Sequence, residues 1–185
     1  PSGAARILAA KVLDGTCPLK QWDDHVDNWI TRLNCLSRWY PEAELPVIGE
    51  EERLSLIEQI CLGAIRYKQI KDRAVLPVVK SWLSESQQNL LDQLAPERLL
   101  LSHNRRLKLR YEEGKPPVLA AKIQNLYDLK DQPSIVNGRV PVLLEILAPN
   151  MRPIQVTSDL RGFWQRTYPE IKGELSRRYP KHEWR

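Results

Sequence analysis

Residue types that could do chemistry are present, but their spacing does not make a reaction centre. His25, His103 and His182 lie far apart, without the paired or His–Glu spacing that places zinc ligands on one face. Gly114-Lys115 could end a phosphate loop, yet two prolines follow it and the earlier glycine is missing. No G-x-G-x-x-G and no G-x-S-x-G occurs, so neither a dinucleotide turn nor a serine nucleophile elbow is written here. Glu50, Glu51 and Glu52 crowd three carboxylates together, and a helix N-terminus accounts for them because its dipole favours negative charge. No catalytic residue, metal or cofactor is expected of this chain, and no small-molecule substrate is evident.

What remains is binding. Residues 105–111 read RRLKLRY, with Leu107, Leu109 and Tyr111 alternating with Arg106, Lys108 and Arg110. On a strand that alternation turns the apolar residues inward and the cations outward. Successive cations would then lie about 7 Å apart, from two residues of strand rise. The phosphates of an extended nucleic-acid strand have a spacing of the same order, and cations so placed bind them without reading sequence. A solvated face whose cations discourage edge pairing is the plainer alternative. A second cluster, Arg177, Arg178 and Lys181, is interleaved with Tyr179, His182 and Trp184. Cations among rings suit single strands, whose bases stack; Tyr179 and Trp184 can equally pack onto their own domain.

The elements that must position these groups change character along the chain. Ala4–Gly15 reads as a short helix stopped by Gly15. Residues 22–41 carry Val26, Trp29, Ile30, Leu33 and Leu36 at helical spacing, with Asp23 and Asp24 at the start and Pro41 at the end. A helix from Gly49 would bury Leu54, Ile57, Cys61 and Ile65. A shorter apolar stretch holds Pro77, and Ser84 or Ser86 caps a last helix before Pro96. Beyond it, RLLLS and RRLKLRY read as a hairpin turning at His103-Asn104-Arg105. PPVLAAKIQNLYDL reads as a helix entered through its prolines, with Leu119, Ile123, Leu126 and Tyr127 inward. Asn137-Gly138 signals another hairpin, followed by an apolar strand past Pro141 and a further strand at IQVTS. Ser158 or Asp159 then caps a helix carrying Phe163, Trp164 and Tyr168 on its buried face. Pro169 starts one more helix. The expected fold class is α+β: a helical unit over 1–95, then a unit over 96–185 in which a small antiparallel sheet packs against helices.

Composition agrees with a folded chain: 42% of its 185 residues are hydrophobic and 28% charged. From Arg98 onward 17 Lys and Arg face 9 Asp and Glu, whereas 11 face 14 before it. A split of that kind points the second unit at a polyanion. Three scattered cysteines without a CxxC pair argue against a disulfide framework and favour a reducing cytosol, hence a cytoplasmic location. No apolar run approaches the length of a membrane span. The only methionine is Met151 and the chain opens Pro1-Ser2-Gly3, as expected of a piece cut from a larger protein.

The stretch RPIQVTSDLRGFWQRTYPEIKGELSRRYPKHEW closely resembles the terminal region of bacterial HrpB-type ATP-dependent helicases, members of the DEAH-box group of RNA helicases. LAPERLLLSHNRRLKLRYEEGKPPVLAAKIQNLYDL resembles the same family just upstream, and the helical part fits the same place in the chain. The resemblance implies an accessory C-terminal region. ATP and magnesium would be bound by motor domains of the same chain, which are partners here along with RNA or another single-stranded nucleic acid. None of the family's ATP-binding residues maps onto these positions. Arg106, Lys108 and Arg110 are the first expected contacts, and Arg177, Arg178 and Lys181 the second. The rival expectation is a docking module that braces the motor without touching nucleic acid.

Overall fold

The computed structural model describes residues 2–101 and 105–185. It divides into two compact units, Pro1–Gln93 and Leu94–Arg185. No helix among the described residues is long and apolar enough to cross a membrane.

The first unit is helical. Helix α1 (Ser2–Leu13) buries Ala5, Leu8 and Ala9 on one face, and Gly15 follows at φ +84°, a conformation open to glycine at no steric cost. Helix α2 (Asp24–Trp39) buries Val26, Trp29, Ile30, Leu33 and Leu36. Asp23 caps it by accepting from the backbone N–H groups of His25 and Val26. Helix α3 (Glu50–Cys61) starts on its glutamates, but its buried stripe is Leu56, Ile57, Ile60 and Cys61. The expected Leu54 and Ile65 are not part of it. The helix stops at Cys61, and Ile65, beyond Gly63 at φ +75°, is 64% exposed. The Arg73 guanidinium closes that end, donating to the carbonyls of Ile60 and Leu62 at 2.6 and 2.8 Å. Helices α4 (Leu76–Lys80) and α5 (Glu85–Leu94) complete the unit. Ser84 caps α5 through its hydroxyl on the Gln87 N–H, while the Gln87 side chain returns to the Ser84 N–H.

The second unit is built on a five-stranded sheet, ordered β1 (Arg98–Leu100), β2 (Arg106–Arg110), β3 (Val118–Lys122), β6 (Leu143–Leu147) and β7 (Pro153–Thr157). Strands β4 (Ser134–Ile135) and β5 (Val140–Pro141) form a separate hairpin. The fold class is α+β, as expected, with two corrections. VLAAK is not helical: it is the middle strand of the sheet, and only Ile123–Asn125 makes a 3-10 turn after it. The sheet is mixed rather than antiparallel, because β3 and β6 run parallel, Val118 beside Leu143 through Lys122 beside Leu147. Parallel neighbours need a long crossover, and the segment from Ile123 to Val142 is that crossover, carrying the β4–β5 hairpin. The hairpin turns where Asn137-Gly138 signals it, with Val136, Asn137 and Gly138 at φ 54°, 53° and 84°.

One face of the sheet is core. Leu109, Leu119, Ala121, Leu144, Ile146 and Thr157 are buried, as are Leu160, Phe163 and Tyr168 of the helical segment. That segment is continuous rather than two helices. A short turn, α6 (Leu160–Gly162), passes through a π-helical turn (Phe163–Thr167) into α7 (Tyr168–Arg178). Proline at 169 has no N–H and crowds the carbonyl four residues back. The chain widens there, the Tyr168 N–H reaching the Phe163 carbonyl five residues away.

Gln132, in the crossover, ties the layers. Its amide nitrogen donates to the Val142 and Thr157 carbonyls at 2.6 and 3.0 Å, and its oxygen accepts from the Leu160 N–H at 2.8 Å. These are buried residues, so one side chain satisfies three backbone groups that water does not reach.

Candidate nucleic-acid interface

Strand alternation leaves the other sheet face open. Residues paired across neighbouring strands share a face, so the register assigns Arg98, Leu100, Arg106, Lys108, Arg110, Val118, Ala120, Lys122, Leu143, Glu145, Leu147 and Val156 to it, with Leu147 buried and Val118 and Leu143 half-buried. Arg98, Arg106, Lys108, Arg110 and Lys122 are all exposed. Within β2 the apolar residues go the other way, Leu109 fully buried and Leu107 half-buried, while Tyr111 beyond it is buried with its hydroxyl on the Pro96 carbonyl at 2.6 Å. The turn expected at His103 and Asn104 lies outside the described residues.

Arg98 is the direct partner of Lys108, and Arg106 the partner of Leu100. Like charges placed opposite each other cost stability, and among the described residues neither Arg98, Arg106 nor Lys108 has a carboxylate partner. Arg110 differs. Its guanidinium reaches diagonally over β3, past the small side chain of Ala120, to Glu145 on β6 at 3.2 Å. Glu145 is the one carboxylate on the five strands among the described residues. Three of the outer-face cations come from the β1–β2 hairpin without being neutralised, and a fourth, Lys122, comes from β3. Neither Arg98 nor Lys122 is legible as a contact in the sequence: a three-residue strand shows too little alternation, and the segment of Lys122 reads as helix.

Arg177 and Arg178 occupy the last turn of α7, and Lys181 follows it; all three are exposed. Cations there complement the negative end of the helix dipole, which accounts for their position without a ligand. They belong to α7 and the turn after it, not to a strand of the sheet. The rings between them are engaged: Tyr179 and Trp184 lie with centroids 6.5 Å apart, and the Trp184 indole donates to the Tyr179 carbonyl at 2.9 Å. The tail is docked. The Tyr127 hydroxyl donates to the Glu183 carbonyl, and Arg185 pairs with Asp128 and Glu183 while lying over the Tyr127 ring. Burial, together with the Tyr168 hydroxyl beside it, pushes the Tyr127 phenol well above its usual range.

Among the described residues no group of three or more His, Cys, Asp and Glu could hold a metal ion. The three cysteines are free, and burial pushes the Cys61 thiol up, away from the thiolate a nucleophile needs.

Comparison with known proteins agrees with this architecture. The family model described as "ATP-dependent helicase C-terminal", HrpB_C, matches residues 56–185. The chain is 33% identical over 167 residues to the ATP-dependent RNA helicase HrpB of Escherichia coli strain K12, covering 88% of this chain and 21% of that protein. The crystal structure of the E. coli DExH-box NTPase HrpB superposes with a TM-score of 0.85 at 30% identity, over 96% of this chain and 22% of the other. A crystal structure of the E. coli DEAH/RHA helicase HrpB gives a TM-score of 0.75 at 29% identity, over 95% of this chain and 23% of the other. The chain thus spans about a fifth of the length of the relatives it matches. It belongs to the HrpB family, as the C-terminal region of an HrpB-type helicase.

Proposed function

We propose that this chain is an accessory region of an ATP-dependent RNA helicase and holds single-stranded RNA by its phosphates on the open sheet face. ATP and magnesium would be used by motor domains of the same protein, in the cytoplasm, and this region would supply grip rather than chemistry. The observation that carries the reading is the placement of Arg98 opposite Lys108, with Arg106 beside them and no carboxylate to neutralise any of the three among the described residues. The arrangement opposes folding slightly, and a polyanion turns it into attraction. Arg110 contributes less, since Glu145 already holds it.

Fluorescence-anisotropy titration with a single-stranded RNA oligonucleotide at several salt concentrations tests this. Each phosphate contact on a single strand adds about 0.7 to the slope of log affinity against log salt. Replacing Arg98, Arg106 and Lys108 by Ser therefore lowers the slope by about 2 and weakens binding at low salt. Binding by the triple variant equal to that of the parent chain would remove the sheet face from consideration and favour a role confined to docking on the motor domains.

A further inference from the structure

We propose that a groove lined by Lys130, Arg161, Trp164 and Gln165 binds one nucleotide unit, its base lying on the Trp164 ring and its phosphate on Lys130 and Arg161. The groove shares no residue with the sheet face, so it is a second site.

Arg161, Trp164 and Gln165 stand at i, i+3 and i+4 along the helical segment, on one side of it. The groove they line with Lys130 has a volume of about 260 Å³. That is at the small end of ligand sites, which run from roughly 300 to 1,000 Å³, and suits one ring system rather than a run of bases.

Trp164 is fixed before any ligand arrives. Its indole N–H donates to the Leu129 carbonyl at 2.9 Å, and its ring meets Phe163 and Tyr168 edge-on at 5.2 and 5.1 Å. With its single donor engaged, it offers the groove only an aromatic surface, and every nucleobase has a face to stack on it. Gln165, exposed and without a hydrogen-bond partner among the described residues, supplies one amide donor pair and one acceptor for a base edge. Lys130 is exposed and has no carboxylate partner among the described residues. Arg161 pairs with Asp131 through one terminal nitrogen, which leaves its other N–H groups for a phosphate. A stacking surface, an amide and two cations around a volume of one ring is the combination a mononucleotide requires.

The source is either a free nucleotide or a unit within an RNA strand. The test follows the Trp164 indole N–H resonance by NMR, identified by its loss in Trp164→Phe, or, should that variant misfold, by its selective shift in Gln165→Ala. AMP is expected to shift the resonance saturably, and adenosine or inorganic phosphate alone to bind at least about tenfold more weakly. The double variant Lys130→Ala/Arg161→Ala should weaken AMP at least tenfold and leave adenosine unchanged. A short single-stranded RNA that saturates the shift below the AMP concentration marks a strand unit as the ligand; the reverse order marks a free nucleotide. Arg106→Ser/Lys108→Ser should leave the AMP titration as it is. No saturable shift with AMP or RNA up to about 10 mM, or a shift indifferent to the Lys130/Arg161 double variant, overturns the groove. RNA binding that depends on the sheet cations while Trp164 stays silent to both RNA and AMP overturns the groove alone, and a groove that binds AMP in a chain whose sheet variants bind RNA normally overturns the sheet reading alone.

Discussion

Arg98 and Lys108 face each other directly across the β1–β2 ladder, two exposed cations without a carboxylate partner among the described residues. Sheets ordinarily place opposite charges or apolar pairs in such positions. The first prediction is that stability and binding move in opposite directions here. Lys108→Ser should leave the fold unharmed or raise its stability by about 0.2–1 kcal/mol, read by urea unfolding, while weakening RNA binding at low salt.

Glu145 restrains Arg110, the strand cation with a carboxylate partner among the described residues. Glu145→Gln should release Arg110, tightening RNA binding and raising the salt slope by about 0.7. Because Arg110 is well exposed, the lost ion pair should cost no more than about 1 kcal/mol of stability. Anisotropy and unfolding measured on the same variant separate the two effects.

Gln132 should matter more to folding than any surface charge. Gln132→Ala strands the Val142 carbonyl and the Leu160 N–H among buried residues and takes one donor from the Thr157 carbonyl, which also faces Leu144 across the β6–β7 ladder. At about 1–3 kcal/mol for each buried group left unpaired, and allowing for partial relaxation, the loss should be roughly 2–4 kcal/mol by denaturant titration. Gln132→Glu should be no better, since a carboxylate cannot donate to the two carbonyls.

Gly162 is required by its neighbours. A Cβ there would lie 2.2 Å from both Asp159 Oδ2 and Arg166 Nη2 and 2.8 Å from Asp159 Cγ. Gly162→Ala should therefore destabilise the chain although alanine is the better helix former, and should do so less in a background that already carries Asp159→Ala, where the obstructing carboxylate is gone. Thermal unfolding of the two single variants and the double gives the coupling.

Asp159 makes the same corner pH-dependent. The Gly162 N–H bonded to its carboxylate, and then the Arg166 guanidinium, hold its pKa below the ordinary carboxylate value near 4. A group depressed in the folded state stabilises above its unfolded pKa, and that contribution is lost as pH falls through the folded value. Acid unfolding below about pH 4 should be shallower in Asp159→Asn, which keeps a capping oxygen and loses the titration. An unchanged slope would assign the acid sensitivity to other carboxylates.

Elements with strong local signals were readable from residue order. Asp23 and Ser84 cap where their side chains suggest, Asn137-Gly138 turns, and the Leu109/Arg110 alternation matches the burial of β2. The misread elements are those decided by distant neighbours. VLAAK has helix-forming alanines and lysine behind two prolines, yet its Leu119 and Ala121 point inward at strand spacing because β6 pairs along its whole length. Tertiary pairing outweighed a weak local preference. The stripe on α3 was misphased because the helix ends at Cys61, sooner than the apolar pattern implies. The groove at Trp164 was invisible for a related reason: Lys130 reaches the helical segment only through the crossover, and no short motif spans that separation.

The parallel pairing of β3 with β6 also sets an order of assembly. On a ribosome, β2 and β3 can meet soon after they emerge, but β3 stays bare along its other edge until Leu143–Leu147 has been made. Waiting for so distant a partner is slow and leaves an open strand available to other nascent chains. Truncation between β3 and β6 would thus yield a sticky half-sheet, and a chaperone that shelters residues 118–122 during synthesis would guard the step on which the whole second unit depends.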